Sequence, residues 1–573
     1  MNSTGTDLGN GVARSVRKTS LLAFAIAAVL GTTMTAQAAD VMTHHVRDEV
    51  RTGAALRAGS LAPQQAMNID VVLPVRDRAG LDAFVKGVTD PSSVMFRQYL
   101  TPKQFTERFG PTQGDYDTVV KYLVKNGFTI TGGSRDGMEV QARGPVTAVE
   151  AAFNVRMLTW RDPTDGHVFY GPDREPTTAL AIPLWHVSGL DNNDKRHPMY
   201  EKKSDYAKAH GISPDAVVGH ATTGSGPSAS FLGSDMRAAY YGSGSLNGAG
   251  QTLGLFEYYG TDLADLTTYY KNVKQTNNVP VNLISTDGTS TACLYTKKGG
   301  DCDDGEQNLD LTQAIGMAPG LTGVSFFVGS TDTAIISAMT THTPLASVNS
   351  CSWGWTPADA STLDPYFEKM AAQGQTFFVA SGDDSTWTKS GNAESWPADD
   401  AYIIAVGGTD LTTASAGGAW KSETAWVDSG GGISPNKIAI PSWQKLSGVI
   451  TSTNKGSTTY RNGPDVAANA NFTFYTCGDQ QACQANEYGG TSFAAPMWAA
   501  FTALANQQSV AGGKKTLGNF NALIYPLALT SSYSTDFHDI TSGKSGSYSA
   551  NTGFDLVTGW GSPKAALISA LHP

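Results

Sequence analysis

The run Gly489-Gly490-Thr491-Ser492-Phe493-Ala494-Ala495-Pro496 places a serine where small residues allow close backbone approach. Residues 494–505 read as a helix that Ser492 would open, and the partial positive charge at a helix N-terminus favours negative charge developing nearby. Taken alone, the motif reads equally well as a serine N-cap on a buried helix. A nucleophile needs a base, so the next question is which side chain could take its proton.

Beyond residue 212 the histidines are His220, His342, His538 and His572, and none stands in a His-Gly-Thr-His context. A Ser-His-Asp peptidase of subtilisin type, which shares the Gly-Thr-Ser-x-Ala-x-Pro signature, would therefore lack its usual base. Carboxylates fit better. Glu306 and Asp310 are four positions apart in a stretch with helical character that ends at Pro319, so both project from one helix face. Two such carboxyls share a proton, one pKa rising and the other falling, and act as a base in the acid range. By itself the pair also reads as a solvated acidic face. Asp301, Asp303 and Asp304 suggest a calcium loop, but Gly305 comes one place early for an EF-hand and Thr312 stands where its glutamate belongs. Asp383, in Ser381-Gly382-Asp383-Asp384-Ser385, follows an apolar strand; held protonated there, it could donate to an oxyanion, or it could simply close an Asx-turn.

These residues need a scaffold. From about residue 213, continuous apolar runs at 252–258, 279–285, 323–329, 346–352, 376–381 and 402–407 alternate with helical stretches. Strands buried on both faces and separated by helices imply an α/β fold with a doubly wound, mainly parallel sheet, whose chemistry lies at the strands' carboxyl ends. An earlier module has its own pattern: strands at 67–73, 139–143 and 154–160, and helices at 78–88, 112–125 and 145–153, an α+β sandwich. Between the two, residues 191–208 are hydrophilic and read as an exposed linker open to clipping.

The ends and the charge add context. Arg14, Arg17 and Lys18, the apolar run 21–30 and Ala36-Gln37-Ala38 describe a secretory signal peptide, residues 1–38, which implies an exported protein with no membrane attachment after its removal. Residues 213–573 carry 16 Lys and Arg against 29 Asp and Glu, which argues against nucleic acid as a partner and leaves solubility and acid tolerance as readings. The five cysteines suggest local loops Cys293–Cys302 and Cys477–Cys483, with Cys351 left as a buried thiol.

Together, Glu306-x-x-x-Asp310, Gly382-Asp383 and Gly490-Thr491-Ser492, in this order, resemble the sedolisin (serine-carboxyl) peptidase family, nearest its secreted bacterial pepstatin-insensitive members. Tyr99-Leu100-Thr101-Pro102-Lys103-Gln104-Phe105 with Phe109 is similar to the family's activation-domain signature, and Ser429-Gly430-Gly431-Gly432, Pro441-x-Trp443-Gln444 and Pro464-Asp465-Val466 also fit. The resemblance implies a subtilisin-like fold with Ser492 as nucleophile, Glu306 as base, Asp310 holding Glu306, and Asp383 stabilising the oxyanion. Asp384 departs from the family's usual serine at that place and sits beside the oxyanion residue. The resemblance further implies one structural Ca2+ held by the Asp539 and Asp555 side chains with the carbonyls of Ile540, Asn551 and Gly553. Organisation follows as signal (1–38), inhibitory activation domain (39–190), processing linker (191–212) and peptidase domain (213–573). Protein or peptide substrates, an endopeptidase or tripeptidyl-peptidase activity and a monomeric state are the expectations that go with it.

Overall fold

The computed structural model describes residues 43–217, 219, 221–293, 303–387 and 395–572. The signal-peptide reading, Cys302 and His220 fall outside the described residues.

The N-terminal module holds two antiparallel sheets. One orders its strands Thr129–Ser134, Glu139–Pro145, Ala66–Val72 and His186–Ser188; the other, Leu56–Ser60, Met157–Arg161 and Val168–Pro172. Helices Arg78–Thr89 and Gln113–Lys125 begin where the side chains of Asp77 and Thr112 accept backbone N–H groups of the first turn. The strand expected from 154 starts at Met157, because Asn154 takes the left-handed conformation (φ 52°) that ends helix Val146–Phe153. Strand alternation splits the side chains between two cores. Ile69 and Val71 face the module's own core, whereas Val72 joins a core shared with the C-terminal part.

The C-terminal part is built on an eight-stranded sheet: β1 (Thr252–Glu257), β2 (Val281–Ser285), β3 (Gly323–Val328), β4 (Val348–Cys351), β5 (Thr376–Ala380), β6 (Ile404–Thr413), β7 (Trp420–Ala425) and β8 (Val466–Asn469). The order is β2-β3-β1-β4-β5-β6-β7, with β8 also paired to β6. All pairs are parallel except β6 with β7. This is the doubly wound sheet expected from the sequence. β6 runs six residues past the expected end at 407 because β7 pairs with Thr409–Thr413, while β8 pairs with Val406–Thr409. Alternate residues feed opposite faces: Leu253, Leu255, Phe378 and Ala380 pack on one side, and Phe256, Phe377 and Val379 on the other.

That second face is where the two parts meet. Phe84, Val88, Phe105 and Phe109 of the N-terminal module share a core with Ile336, Met339, Tyr366, Phe367 and Met370. Arg78 reinforces the contact by donating to Glu368 at 2.7 Å. On the first face, helix α1 (Gly305–Met317) lies against helix Gly233–Tyr240, and helix α2 (Ala494–Ala511) runs through the core. The Gly233–Gly316 crossing is close: a Cβ on Gly233 would stand 2.2 Å from the Thr312 carbonyl oxygen, so only glycine lets the two helices touch there.

Candidate active site

Helix α1 is buried along nearly its whole length, including Glu306 and Asp310 on one face. Ser492 sits in a single 3-10 turn, Thr491–Phe493, and the α-helix itself begins only at Ala494. From this turn Ser492 Oγ donates to Glu306 Oε2 at 2.8 Å. Ser352 Oγ donates to Asp310 Oδ1 at 2.7 Å, and the Asp310 carboxyl interacts with those of both Glu306 and Glu257. Trp353 Nε1 closes the row by donating to Glu257 Oε2 at 3.0 Å.

The row Ser492–Glu306–Asp310–Glu257–Trp353 has an electrostatic consequence. Glu306 Oε1 and Asp310 Oδ2 are buried and accept from no N–H or hydroxyl among the described residues, so carboxyls this close must share protons. Burial, then the charges of Asp310 and Glu257, push Glu306 well above the usual carboxylate range. Burial likewise lifts Asp310 to about 8, and burial followed by Asp310's charge lifts Glu257. Three carboxyls thus carry fewer than three charges, and the Ser492 hydrogen bond favours the charge on Glu306.

Glu257 and Trp353 were not singled out from the sequence. A signal for Glu257 did exist: it is the charged carboxyl-end residue of an otherwise apolar buried strand, the same cue that marked Asp383.

Asp383 follows β5 and is buried. Its Oδ1 accepts Thr491 N and Thr491 Oγ1 at 2.8 and 2.9 Å, while Thr491 Oγ1 also accepts Gly382 N at 3.0 Å. These bonds bring Asp383 beside the Ser492 turn. The neighbouring Asp384 is exposed, so the two carboxylates occupy different environments.

The segment expected to be an exposed linker is instead threaded through this site. Residues Lys195–Pro198 pair antiparallel with Trp353–Thr356, and Glu201–Lys202 with Tyr488 and Gly489. Between them Met199 N donates to the Ser352 carbonyl at 2.8 Å, and Ser492 N donates to the Met199 carbonyl at 2.9 Å. Met199 and Tyr200 are only 1% and 8% exposed. The hydrophilic side chains of the segment had concealed what its backbone would do: its N–H and C=O groups complete the edges of two peptidase-domain strands.

The other candidates divide. His342 packs edge-on against Phe327, His538 stacks on Trp420, and His572 Nε2 meets the Ala505 carbonyl, so these three histidines are engaged away from Ser492. The Cys477–Cys483 disulfide is formed, and Cys351 is a buried thiol in β4. In the C-terminal loops, Asp539 accepts Gly553 N and the Tyr533 hydroxyl. Asp555 accepts Asn551 N, Val557 N and Thr558 N. The Asp539–Gly553 bond brings together the two segments proposed as one ligand set. All its donors are hard oxygens, and both carboxylates are held by neutral partners, so the set fits Ca2+. A different grouping, Asp162, Asp165 and His167, already holds the Lys195 ammonium 3.5 Å from each carboxylate.

Residues 54–187 match the family model "Pro-kumamolisin, activation domain" and residues 296–560 the model "Subtilase family". The chain is 30% identical to sedolisin from Pseudomonas sp. (strain 101), over 91% of this chain and 89% of that protein. It is 29% identical to kumamolisin from Bacillus sp. (strain MN-32), over 93% and 96%. A protein named tripeptidyl-peptidase sed5 from Aspergillus fumigatus is 24% identical over 81% of this chain and 86% of its own length.

Proposed function

The chain belongs to the sedolisin family of serine-carboxyl peptidases and carries an activation prodomain; from that premise we propose that it is a secreted, acid-active endopeptidase made as a self-processing zymogen. The observation that carries the reading is the 2.8 Å hydrogen bond from Ser492 Oγ to Glu306 Oε2 at the end of a buried row of carboxyls.

In this reading Ser492 attacks the scissile carbonyl and Glu306 takes its proton, later returning it to the leaving amine. Asp310, held by Ser352 and Glu257, orients Glu306 and keeps a proton in the row, so that one negative charge suffices. Asp383 and the Ser492 N–H face the oxyanion. The processing linker, residues 191–212, joins the inhibitory domain, residues 39–190, to the peptidase domain, residues 213–573.

Export rests on the signal-like residues 1–38, and no helix among the described residues is long and apolar enough to cross a membrane. Similarity to a protein named a tripeptidyl-peptidase keeps that activity in view. The threaded segment favours an endopeptidase, because Lys195–Pro198 and Met199 extend the N-terminal side of the cleft beyond three residues. An internally quenched peptide with a blocked N-terminus tests this: cleavage at acid pH by the wild type but not by Ser492→Ala is expected, and no cleavage of the blocked peptide sinks the endopeptidase reading. Retention of wild-type activity by Glu306→Ala would point back to an imidazole base.

One calcium ion held by Asp539, Asp555 and the carbonyls of Ile540, Asn551 and Gly553 would cross-link the C-terminal loops. Chelation should then lower the melting temperature by roughly 5 °C or more, and an unchanged melting curve counts against the site.

A further inference from the structure

The segment from Lys195 to Lys202 lies in the cleft as a bound peptide would, and three observations fix its register. Strand pairs flank Met199 and Tyr200 on both sides, with Trp353–Thr356 before and Tyr488 and Gly489 after. Met199 is the residue whose carbonyl accepts the N–H of Ser492 itself, while its own N–H is held by the Ser352 carbonyl. Finally, Gly490 (φ 131°) leaves open the space where these groups converge. A Cβ there would stand 2.3 Å from the Met199 oxygen, 2.5 Å from Asp383 Oδ2 and 2.6 Å from Tyr200 Cα. The Met199 carbonyl oxygen therefore occupies the place where an oxyanion would be stabilised.

The side chain after this carbonyl also has a built receptor. The Tyr200 ring stacks on Tyr488, with centroids 5.8 Å apart and planes 29° apart, and its hydroxyl donates to Asp303 Oδ1 at 2.9 Å. Two residues on, Lys202 Nζ lies 3.3 Å from Asp479 Oδ2. Further along, the chain enters helix Lys203–His210, which cannot lie extended in a cleft.

We infer that Met199–Tyr200 is the first bond the zymogen cuts, and that the Tyr488–Asp303 pocket makes the mature enzyme favour tyrosine directly after the cleaved bond. The inference rests on Ser492 being the nucleophile and adds to it the bond and the specificity. Ser492 Oγ bonds to the Met199 carbonyl carbon as its proton passes to Glu306 Oε2 and the C=O π pair moves onto the oxygen. The C–N bond to Tyr200 then breaks, and the nitrogen takes the proton from Glu306 to leave as the Tyr200 amine. Water adds to the Met199 ester, giving a proton to Glu306; the C–Oγ bond breaks, Ser492 recovers its proton, and Met199 ends in a carboxylate.

Two measurements test this. The full-length precursor is purified at neutral pH and acidified, and new N-termini are read by mass spectrometry at the earliest times. Tyr200 should appear first, before any trimming downstream. A different first N-terminus, with the Ser492→Ala precursor still intact, overturns the bond assignment and leaves the nucleophile standing; cutting of the purified Ser492→Ala precursor would sink the nucleophile instead. For the pocket, the mature enzyme is given Lys-Arg-His-Pro-Met-Tyr-Glu-Lys and the same peptide with Phe for Tyr. The tyrosine peptide should have a kcat/KM about threefold to tenfold higher, the worth of one partly exposed hydrogen bond to a charged group. Asp303→Ala should bring that ratio to about one. No preference in the wild type, or a ratio unchanged in Asp303→Ala, overturns the pocket.

Discussion

In the prodomain, carboxylates are held by N–H groups and cations. Glu175 accepts His45 N and Val46 N at 2.8 and 3.1 Å, Asp191 at the start of the linker takes Arg47 at 2.5 Å, and Asp165 takes His167. In the peptidase domain the carboxyls proposed to do the chemistry interact with one another: Glu306, Asp310 and Glu257 form a row. The titration behaviour divides the same way. Burial works against the Glu175 charge, but the His45 contacts outweigh it and bring Glu175 down to about 2; the His167 hydrogen bond brings Asp165 to about 2. Burial sends the peptidase row upward.

The signs follow from linkage. A carboxylate with a lowered folded pKa stabilises the fold above about pH 4 and loses that contribution as pH falls towards 2. A carboxyl with a raised folded pKa contributes fully in acid and loses it as pH climbs, for Asp310 between about 4 and 8. Acid therefore loosens ties within the prodomain while leaving the peptidase domain at its firmest. Asp70 and Glu139 are exceptions, both buried and both raised, and Asp70 is the instructive one. It belongs to the prodomain but is buried against Thr331 of the peptidase domain, and burial raises it to about 7, so the interface itself is not what acid dissolves.

The largest effect that tests this contrast is chemical. Glu306→Gln should lower processing and peptide hydrolysis by at least about 10³-fold, measured as single-turnover rates after acidification; near-normal rates would make the row merely structural. Next comes Glu257→Gln, which keeps the Trp353 contact but removes one shared proton. It should cost kcat about tenfold to a hundredfold and shift the pH–rate profile, whereas a change in KM alone would contradict an orienting role. Third, the Ser492→Ala precursor, which cannot process, should lose a few kcal/mol of stability between about pH 4 and 8, with Glu257→Gln flattening the slope. A melting temperature that rises over this range reverses the assignment. The smallest effect falls on the other side of the contrast: Glu175→Gln should move the pH midpoint of prodomain release by about half a unit, since a carboxylate this open to solvent contributes little.

Much of this was legible in the chain. The strands that became β1, β3 and β5 end within a residue of where apolar continuity placed them, because a strand buried on both faces leaves an uninterrupted run. Glu306, Asp310, Asp383 and Ser492 stood out through motif and order, and the fold brings them together around the Ser492 turn. Glu257 and Trp353 did not, since each is a single residue at a strand end with no partner nearby in sequence. The path of residues 195–202 was hidden for a different reason. Side-chain polarity advertises exposure, but their place is set by backbone pairing, which no composition reveals.

The core shared by Phe84, Phe105 and Phe109 with Tyr366, Phe367 and Met370 gives the molecule a history. While the prodomain is attached, folding and unfolding are alternatives of one chain. On the proposed maturation that apolar face would lose its cover, and the mature peptidase would no longer contain everything that shaped it. Its persistence then becomes a matter of how slowly it opens, not of how favourable closing would be. A mature molecule denatured and returned to native conditions should fail to recover, and should recover when the prodomain is added back as a separate chain.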